Sequence, residues 1–252
     1  MPWTRSSLAE ALRAAGIRPR RSLGQNFVVD ANFLRALVRD AGVGPGDGAV
    51  EIGAGPGGLT EALAERARQV WAFEIDPAVR AVAARFLGDR PNVSLIGADG
   101  ADFARHVEPR RGAALRVVSN LPYSDWKRLV LALLSAPLEI ASYTLMLQRD
   151  VYDRLRAGPG TREYGPMPAL VQGTCSIRFV RKAGRDLFRP APRVESAVFE
   201  LLRPVPVDAF AVEAGLRRLF AGRRKKSPLA GGRRIEQLSP AELLELQRNH
   251  PV

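Results

Sequence analysis

From Ala49 onward, short runs rich in valine, isoleucine and leucine alternate with longer stretches of helical periodicity, and this alternation constrains the fold more than any other feature of the chain. Residues 49–52, 70–75, 93–96, 115–119 and 143–147 read as strands, with helical patterns over 59–67, 77–87 and 126–134 between them. Strand and helix in turn imply βαβ units around a parallel sheet. A strand covered by helices on both faces can be apolar throughout, as these are. Upstream, 7–15 predicts a short helix stopped at Gly16. Asp30 caps a second helix through Asp40 that gathers Phe33, Leu34, Leu37 and Val38 on one face, with Gly42 as its stop. Beyond Arg149 a helix to Arg156 gives way to the glycine- and proline-rich segment 157–168, long for a plain connector and expected on the substrate side. Strand-like runs at 175–180 and 196–202, a linker at 203–206 and helices at 209–221 and 240–249 complete the chain. The 252 residues suffice for one sizeable core and a small appendix. The expected division is a principal α/β domain over 1–203, with a basic amino-terminal arm, and a small helical domain over 204–252.

The first strand runs into Glu51-Ile52-Gly53-Ala54-Gly55-Pro56-Gly57-Gly58, and a helix follows. A glycine-rich turn in that setting permits tight backbone angles and close approach of a ligand to the main chain. Taken alone it also fits a plain turn or a dinucleotide site. Glu74 stands at the tip of the next strand, about 20 residues past the loop, where a carboxylate accepts from both hydroxyls of a ribose. Asp99, in Ile96-Gly97-Ala98-Asp99-Gly100, ends the third strand and can accept from an adenine amino group. Asp76 and Asp102 read as helix caps instead.

Asn120-Leu121-Pro122-Tyr123 follows the apolar run 115–118. Chemistry on the exocyclic amine of a base needs this combination. The asparagine side chain and a backbone carbonyl accept the two amino hydrogens, proline fixes the turn and removes a competing donor, and tyrosine offers a ring for stacking. Together with Glu74 and Asp99, the tetrad favours S-adenosylmethionine over a nicotinamide dinucleotide and points to adenine methylation.

The formal net charge of +12 suggests a polyanionic partner, with nucleic acid the first candidate. Lys127, Lys182, Lys225 and Lys226 are the only lysines among 38 basic residues, so genome composition also contributes to the arginine excess. Cys175 is the single cysteine, which excludes an intrachain disulfide and a cysteine-based zinc site, and His106 and His250 lie far apart, against a metal centre. The start of the chain lacks an apolar stretch of signal-peptide length and no run reaches membrane-spanning length, so a reducing cytoplasm and no membrane are expected.

The chain resembles the ribosomal RNA adenine N6,N6-dimethyltransferases, the small-subunit branch in particular. The resemblance rests on Leu23-Gly24-Gln25-Asn26-Phe27-Val28, on the glycine loop, Glu74-Ile75-Asp76 and the Asn120 tetrad, on Met146-Leu147-Gln148 with 154–159, and on 188–197. It implies a Rossmann-like class I S-adenosylmethionine-dependent methyltransferase fold with a small carboxy-terminal helical domain. It further implies that Asn26 and Val28 close over the cofactor, that Gly53 and Gly55 contact it, that Glu74 holds its ribose and Asp99 its adenine, and that Asn120 lies between cofactor and base. Asn120, Leu121, Pro122 and Tyr123 form the catalytic set, with Tyr123 and Phe188 as stacking walls. Arg18, Arg20, Arg21, Arg189, Arg193, Arg223, Arg224, Lys225 and Lys226 are the candidate RNA contacts, and a solvated charged face is the plainer reading of the last run. The implied partner is ribosomal RNA within the small subunit or its precursor, met by a monomer.

Three departures stand out. Ser124-Asp125-Trp126 follows the tetrad where the family has small or neutral residues, often Asn-Ile-Ser, and an aspartate there is electrostatically unhelpful to RNA. Val28 replaces the usual leucine, and the stretch between Lys226 and Arg234 is short. Two other readings share the fold: a large-subunit adenine methyltransferase conferring macrolide resistance, against which stand Leu121 and 147–155, and a non-catalytic ribosome-assembly factor. A nicotinamide dehydrogenase leaves the tetrad unexplained.

Overall fold

A computed structural model describes residues 3–17, 26–202 and 204–250. Helix α1 (Arg5–Ala14) starts at Thr4, which forms a reciprocal capping box with Ser7. Strand β1 (Phe27–Val28) precedes α2 (Ala31–Asp40), capped as expected by the Asp30 carboxylate accepting Phe33 N–H at 2.8 Å. Then come β2 (Gly48–Ile52), α3 (Gly58–Ala64), β3 (Gln69–Phe73), α4 (Pro77–Leu87), β4 (Val93–Ile96), a 3-10 turn (Gly100–Arg105), β5 (Leu115–Asn120), α5 (Trp126–Leu134) and β6 (Ile140–Gln148). The last third holds α6 (Arg149–Leu155), α7 (Pro166–Thr174), β7 (Ser176–Ala183), β8 (Phe188–Arg189), β9 (Ser196–Leu202), α8 (Ala209–Ala221) and α9 (Pro240–Asn249).

The seven-stranded sheet has the order β4-β3-β2-β5-β6-β9-β7. Strands β2 to β6 are mutually parallel, and β9 inserts antiparallel between β6 and β7. The chain builds outward from β2 to β4, then returns to place β5 on the other side of β2. In such a sheet the crevice at the carboxyl ends of the two strands flanking the reversal is the natural ligand site.

Alternation along the strands sorts their side chains onto two faces. Val50, Ile52, Trp71, Phe73, Val117, Leu145 and Phe199 join one buried cluster, while Ala49, Val70, Ala72, Val118, Met146 and Val198 join another. The first is covered by α5, α6, α7 and α8, the second by α2 and α3. Each fully enclosed Phe or Leu contributes on the order of 1.5–3 kcal/mol, so both faces hold the sheet.

The last two helices have no core of their own. Leu216 and Phe220 on α8 and Leu243 on α9 belong to the same cluster as the sheet, and α7, which precedes the expected boundary, packs on both helices. The division drawn after Arg203 therefore marks a change of architecture and not a separate core; Arg203 itself lies outside the described residues. The proline-rich segment 157–168 also differs from expectation. Pro166 opens α7, where its missing N–H is harmless. The loop before it bonds to the carboxy-terminal region through Gly160 N–H to the Glu236 carbonyl (2.7 Å) and the Tyr164 hydroxyl to the Leu238 carbonyl (3.0 Å). The short stretch after Lys226 closes as a tight turn, with Lys226 paired antiparallel to Arg234 and Gly231 and Gly232 at positive φ. No helix among the described residues is long and apolar enough to cross a membrane.

Candidate active site

The site begins where β2 and β5 part. Their ladder ends at Val50 opposite Val117, and beyond it the Ile52 N–H donates to the Ser119 hydroxyl at 2.8 Å instead of to a main-chain carbonyl. The glycine loop then folds over the tip of β3, with Gly53 and Ala54 both donating to the Phe73 carbonyl. Gly53 adopts φ 76° and Gly55 φ 56°, backbone that favours glycine. At Gly55 the restriction is double, because a Cβ would stand 2.9 Å from Phe27 Cδ1. On the outer side, the Trp3 indole donates to the Pro56 carbonyl at 2.8 Å and stacks on Phe86, so the amino-terminal segment braces the loop.

Glu74, just past β3, accepts Gly55 N–H on one carboxylate oxygen and Asp76 N–H on the other, each at 2.9 Å. Each oxygen keeps lone-pair capacity for one more donor. Burial pushes the Glu74 carboxyl above its usual range, with the two amide donors opposing. Glu51, fully enclosed behind the loop, is raised further by burial even though the Thr60 hydroxyl donates to it at 2.6 Å. Asp99 accepts Ala101 N–H (2.9 Å) and Arg128 Nη2 (3.0 Å), both on Oδ1. Partial burial raises Asp99, but the Arg128 and Ala101 bonds outweigh it and hold the carboxyl below its ordinary range. Arg128 also donates to Asp125.

Asn120 closes β5. Its Nδ2 donates to the Asn26 carbonyl at 2.9 Å, and its Oδ1 is buried with no hydrogen-bond partner among the described residues. Because the Asn26 oxygen can only accept, that bond fixes which way round the amide sits. The orphaned atom is therefore an acceptor, the group an incoming N–H requires. Leu121 N–H stays on the Met146 carbonyl (3.2 Å), while the Pro122 carbonyl accepts Asp125 N–H (3.2 Å) in the turn before α5. Tyr123 is half-buried, its hydroxyl 2.5 Å from Ser196 Oγ at the start of β9. Burial raises the phenol above its usual range, against the Ser196 bond, and so it stays protonated at neutral pH.

A cavity of about 220 Å³ lies beside these groups, and Leu121 and Tyr123 are not among the residues that line it. Asn26, Gly53, Gly55, Glu74, Asp99, Asn120 and Pro122 all line it, brought together from five separate stretches of chain. Phe27, Ile75, Asp125 and Arg128 line it too and were not assigned there from sequence. Ile75 is 67% exposed, an apolar side chain left in the open between two site acids. Its position between Glu74 and Asp76 was the available signal. Ser196 lies within the 188–197 motif, but its bond to Tyr123 spans 73 residues and has no local signature.

Several expected placements are not met. Val28 is absent from the cavity lining and packs into the core under α2, and Phe27 occupies the wall instead. Phe188 is 0% exposed: β8 pairs with β1, setting Phe188 opposite Val28, and the ring fills the second cluster, so it presents no face to a base. Arg223 is not a free cation. It donates to Glu236 at 2.8 Å and to the Thr161 and Arg162 carbonyls at 3.2 Å, tying the proline-rich loop to the turn after α8. Arg224, Lys225, Lys226 and Arg193 are exposed, and Arg189 is half-buried with Nη1 on the Phe188 carbonyl. Arg18, Arg20 and Arg21 lie outside the described residues.

A family model described as ribosomal RNA adenine dimethylase matches residues 16–225. The small-subunit ribosomal RNA methyltransferase A of Bacillus mycoides is 40% identical over 222 residues, covering 83% of this chain and 75% of the relative. Among solved structures, a dimethyladenosine transferase from Plasmodium falciparum aligns with a TM-score of 0.73 at 19% identity, over 88% of this chain and 96% of that one. The 23S ribosomal RNA methyltransferase ErmE aligns at 0.62 and 26% identity, over 88% and 98%. The matched span includes the glycine loop, both site acids and the Asn120 tetrad, and on that ground the chain belongs to the ribosomal RNA adenine dimethylase family.

Proposed function

We propose that the protein transfers methyl groups from S-adenosylmethionine to the N6 amino group of adenines in small-subunit ribosomal RNA, two to each target, and works as a monomer in the cytoplasm. The observation that carries this reading is the buried Asn120 Oδ1, an acceptor without a donor among the described residues, beside a cavity already lined by two strand-end acids. A buried acceptor left unpaired costs on the order of 1–3 kcal/mol, which an amino hydrogen recovers. The donor set fits the cofactor. Glu74 has spare acceptor capacity for a ribose diol, and Asp99 Oδ2 receives no described protein donor and suits an adenine amine. Ile75 supplies an apolar cover for the purine face.

The cofactor, when bound, supplies a sulfonium-activated methyl group. The chain's part is placement, because an adenine amine delocalises its lone pair into the ring. Asn120 Oδ1 and the Leu121 carbonyl accept the amino hydrogens, draw the nitrogen toward a tetrahedral shape and aim its lone pair along the transfer axis. The Pro122 carbonyl is committed to the turn with Asp125, so Leu121 is the better second acceptor. Tyr123, pinned through Ser196, provides the stacking platform without Phe188. A second transfer needs one acceptor only, since the monomethylated amine carries one hydrogen. Exposed Arg193, Arg224, Lys225 and Lys226 are available to phosphates.

The test is transfer of labelled methyl from S-adenosylmethionine to unmethylated small subunits and to naked large-subunit RNA. Label confined to the small subunit is expected. Label confined to large-subunit RNA would assign the enzyme to the other branch, and label on neither would remove the catalytic reading.

A further inference from the structure

We infer that Arg128 is a positioning residue for recognition of the cofactor's adenine: it fixes Asp99 so that Oδ2 accepts the amino hydrogen, and Asp125 tethers Arg128 in place. The inference rests on the S-adenosylmethionine reading above. It also accounts for the departure from the family pattern after the tetrad, where an aspartate looked unfavourable.

Asp125 occupies the position before the first turn of α5, where an aspartate ordinarily accepts a main-chain N–H of that turn. Here its side chain makes no capping bond. It takes Arg128 instead, through Nε at 2.9 Å and Nη2 at 2.5 Å. The same Nη2 reaches Asp99 Oδ1 at 3.0 Å, across 29 residues of sequence. All three side chains line the cavity. One guanidinium thus bridges two carboxylates at its rim, and the Asp125 charge is directed inward to Arg128 and not toward RNA.

The bridge has a geometric consequence. Asp99 Oδ1 holds both Ala101 N–H and Arg128, and these two donors, one from the main chain and one from α5, fix the carboxylate's rotation. Oδ2 is then presented at one angle. Arg128 and Ala101 together hold the Asp99 carboxyl below its ordinary range, against the raising effect of partial burial. Without Arg128, two carboxylates would face each other across the rim and Asp99 would be held by Ala101 N–H alone.

The test compares binding of S-adenosylhomocysteine with that of S-inosylhomocysteine, in which an oxo acceptor replaces the amino donor. Calorimetric titrations would use the full-length wild type, Arg128→Ala, Arg128→Lys and Asp125→Asn, with melting curves of each ligand-free protein. The wild type should favour the amino ligand. Arg128→Ala should weaken S-adenosylhomocysteine about tenfold but the inosine analogue by less than about twofold, the pattern of a lost charge-supported hydrogen bond. Arg128→Lys should restore part of the preference, and Asp125→Asn should lose a smaller part. Equal weakening of both ligands would mean general damage to the pocket and would overturn the inference, as would unchanged binding. If the wild type binds S-adenosylhomocysteine without preferring it, Asp99 does not read the amine and this inference fails alone. If the wild type binds neither ligand, the cofactor reading fails as well.

Discussion

Asn120→Ala separates function from stability, because its side chain makes one protein bond and leaves a buried acceptor that no described residue pairs. Two opposing terms set its effect on folding. The change removes the Nδ2 bond to the Asn26 carbonyl, worth about 0.5–1.5 kcal/mol net. It also removes a buried acceptor that no described residue pairs, relieving about 1–3 kcal/mol. Since the side chain borders an open cavity and not a packed core, little is lost to a new void. The sum runs from about 0.5 kcal/mol of destabilisation to about 2.5 kcal/mol of stabilisation, a melting shift between a fall of roughly 1–2 °C and a rise of roughly 5–10 °C for a chain of this size. Catalysis should suffer far more. Loss of one fixed group that acts at the reacting atoms lowers rates by about 10²–10³-fold in comparable sites. Urea unfolding followed by circular dichroism would measure the first quantity, and initial rates of labelled methyl transfer to small subunits the second. A destabilisation above about 2 kcal/mol would show that the amide supports the fold. A rate within a few-fold of wild type would show that Oδ1 does not receive the amine.

The remaining predictions concern residues around that centre. Tyr123→Ala should reduce transfer by about 5- to 150-fold, the range of one base–aromatic stack. Tyr123→Phe, which loses only the bond to Ser196, should cost several-fold less, and equal losses for the two would refute the stacking role. Arg223→Ala should lower the urea midpoint, whereas joint replacement of Arg224, Lys225 and Lys226 by alanine should leave it unchanged and flatten the salt dependence of RNA binding by up to about 2 to 2.7 log units per log unit of salt, at roughly 0.7 to 0.9 per contact. An unaltered slope would deny these three cations a docking role. Burial raises Glu51 well above its ordinary value, so the folded state binds its proton more tightly than the unfolded state does. Its contribution to stability is therefore full at low pH and falls as pH rises from the ordinary carboxylate range through the raised folded value. Glu51→Gln should remove that fall, and urea midpoints measured across the same window would contradict the reasoning if both proteins declined in parallel.

Much of the site could be read from sequence because it sits at the ends of consecutive strands. The glycine loop, Glu74, Asp99 and Asn120 each follow an apolar run, and a parallel sheet carries the ends of such runs to one edge. Their common placement follows from local pattern and needed no knowledge of distant contacts. Phe188 marks the limit. An aromatic residue next to Arg189, upstream of Arg193, reads as a surface platform, yet a two-residue ladder with β1 turns it into the core, and nothing near it in sequence announces that pairing. The run 223–226 shows the same limit from the other side. Four adjacent cations look equivalent in sequence, but Arg223 alone meets Glu236 and two loop carbonyls, partners that only the turn after α8 brings within reach. The spacing of Asp125 and Arg128, three residues apart at the start of α5, is a local signal for a pair. Their third partner, Asp99, has no such signal, and without it the aspartate looked like a defect.

The central claim is that this crevice brings an adenine amino group to a transferable methyl. The most direct measurement is mass spectrometry of nucleosides released from small-subunit RNA after incubation with the protein and isotope-labelled S-adenosylmethionine. The account predicts N6-methyladenosine early, N6,N6-dimethyladenosine as the end product, and neither with Asn120→Ala. Label on a ribose hydroxyl, on a ring carbon or on another base would contradict it.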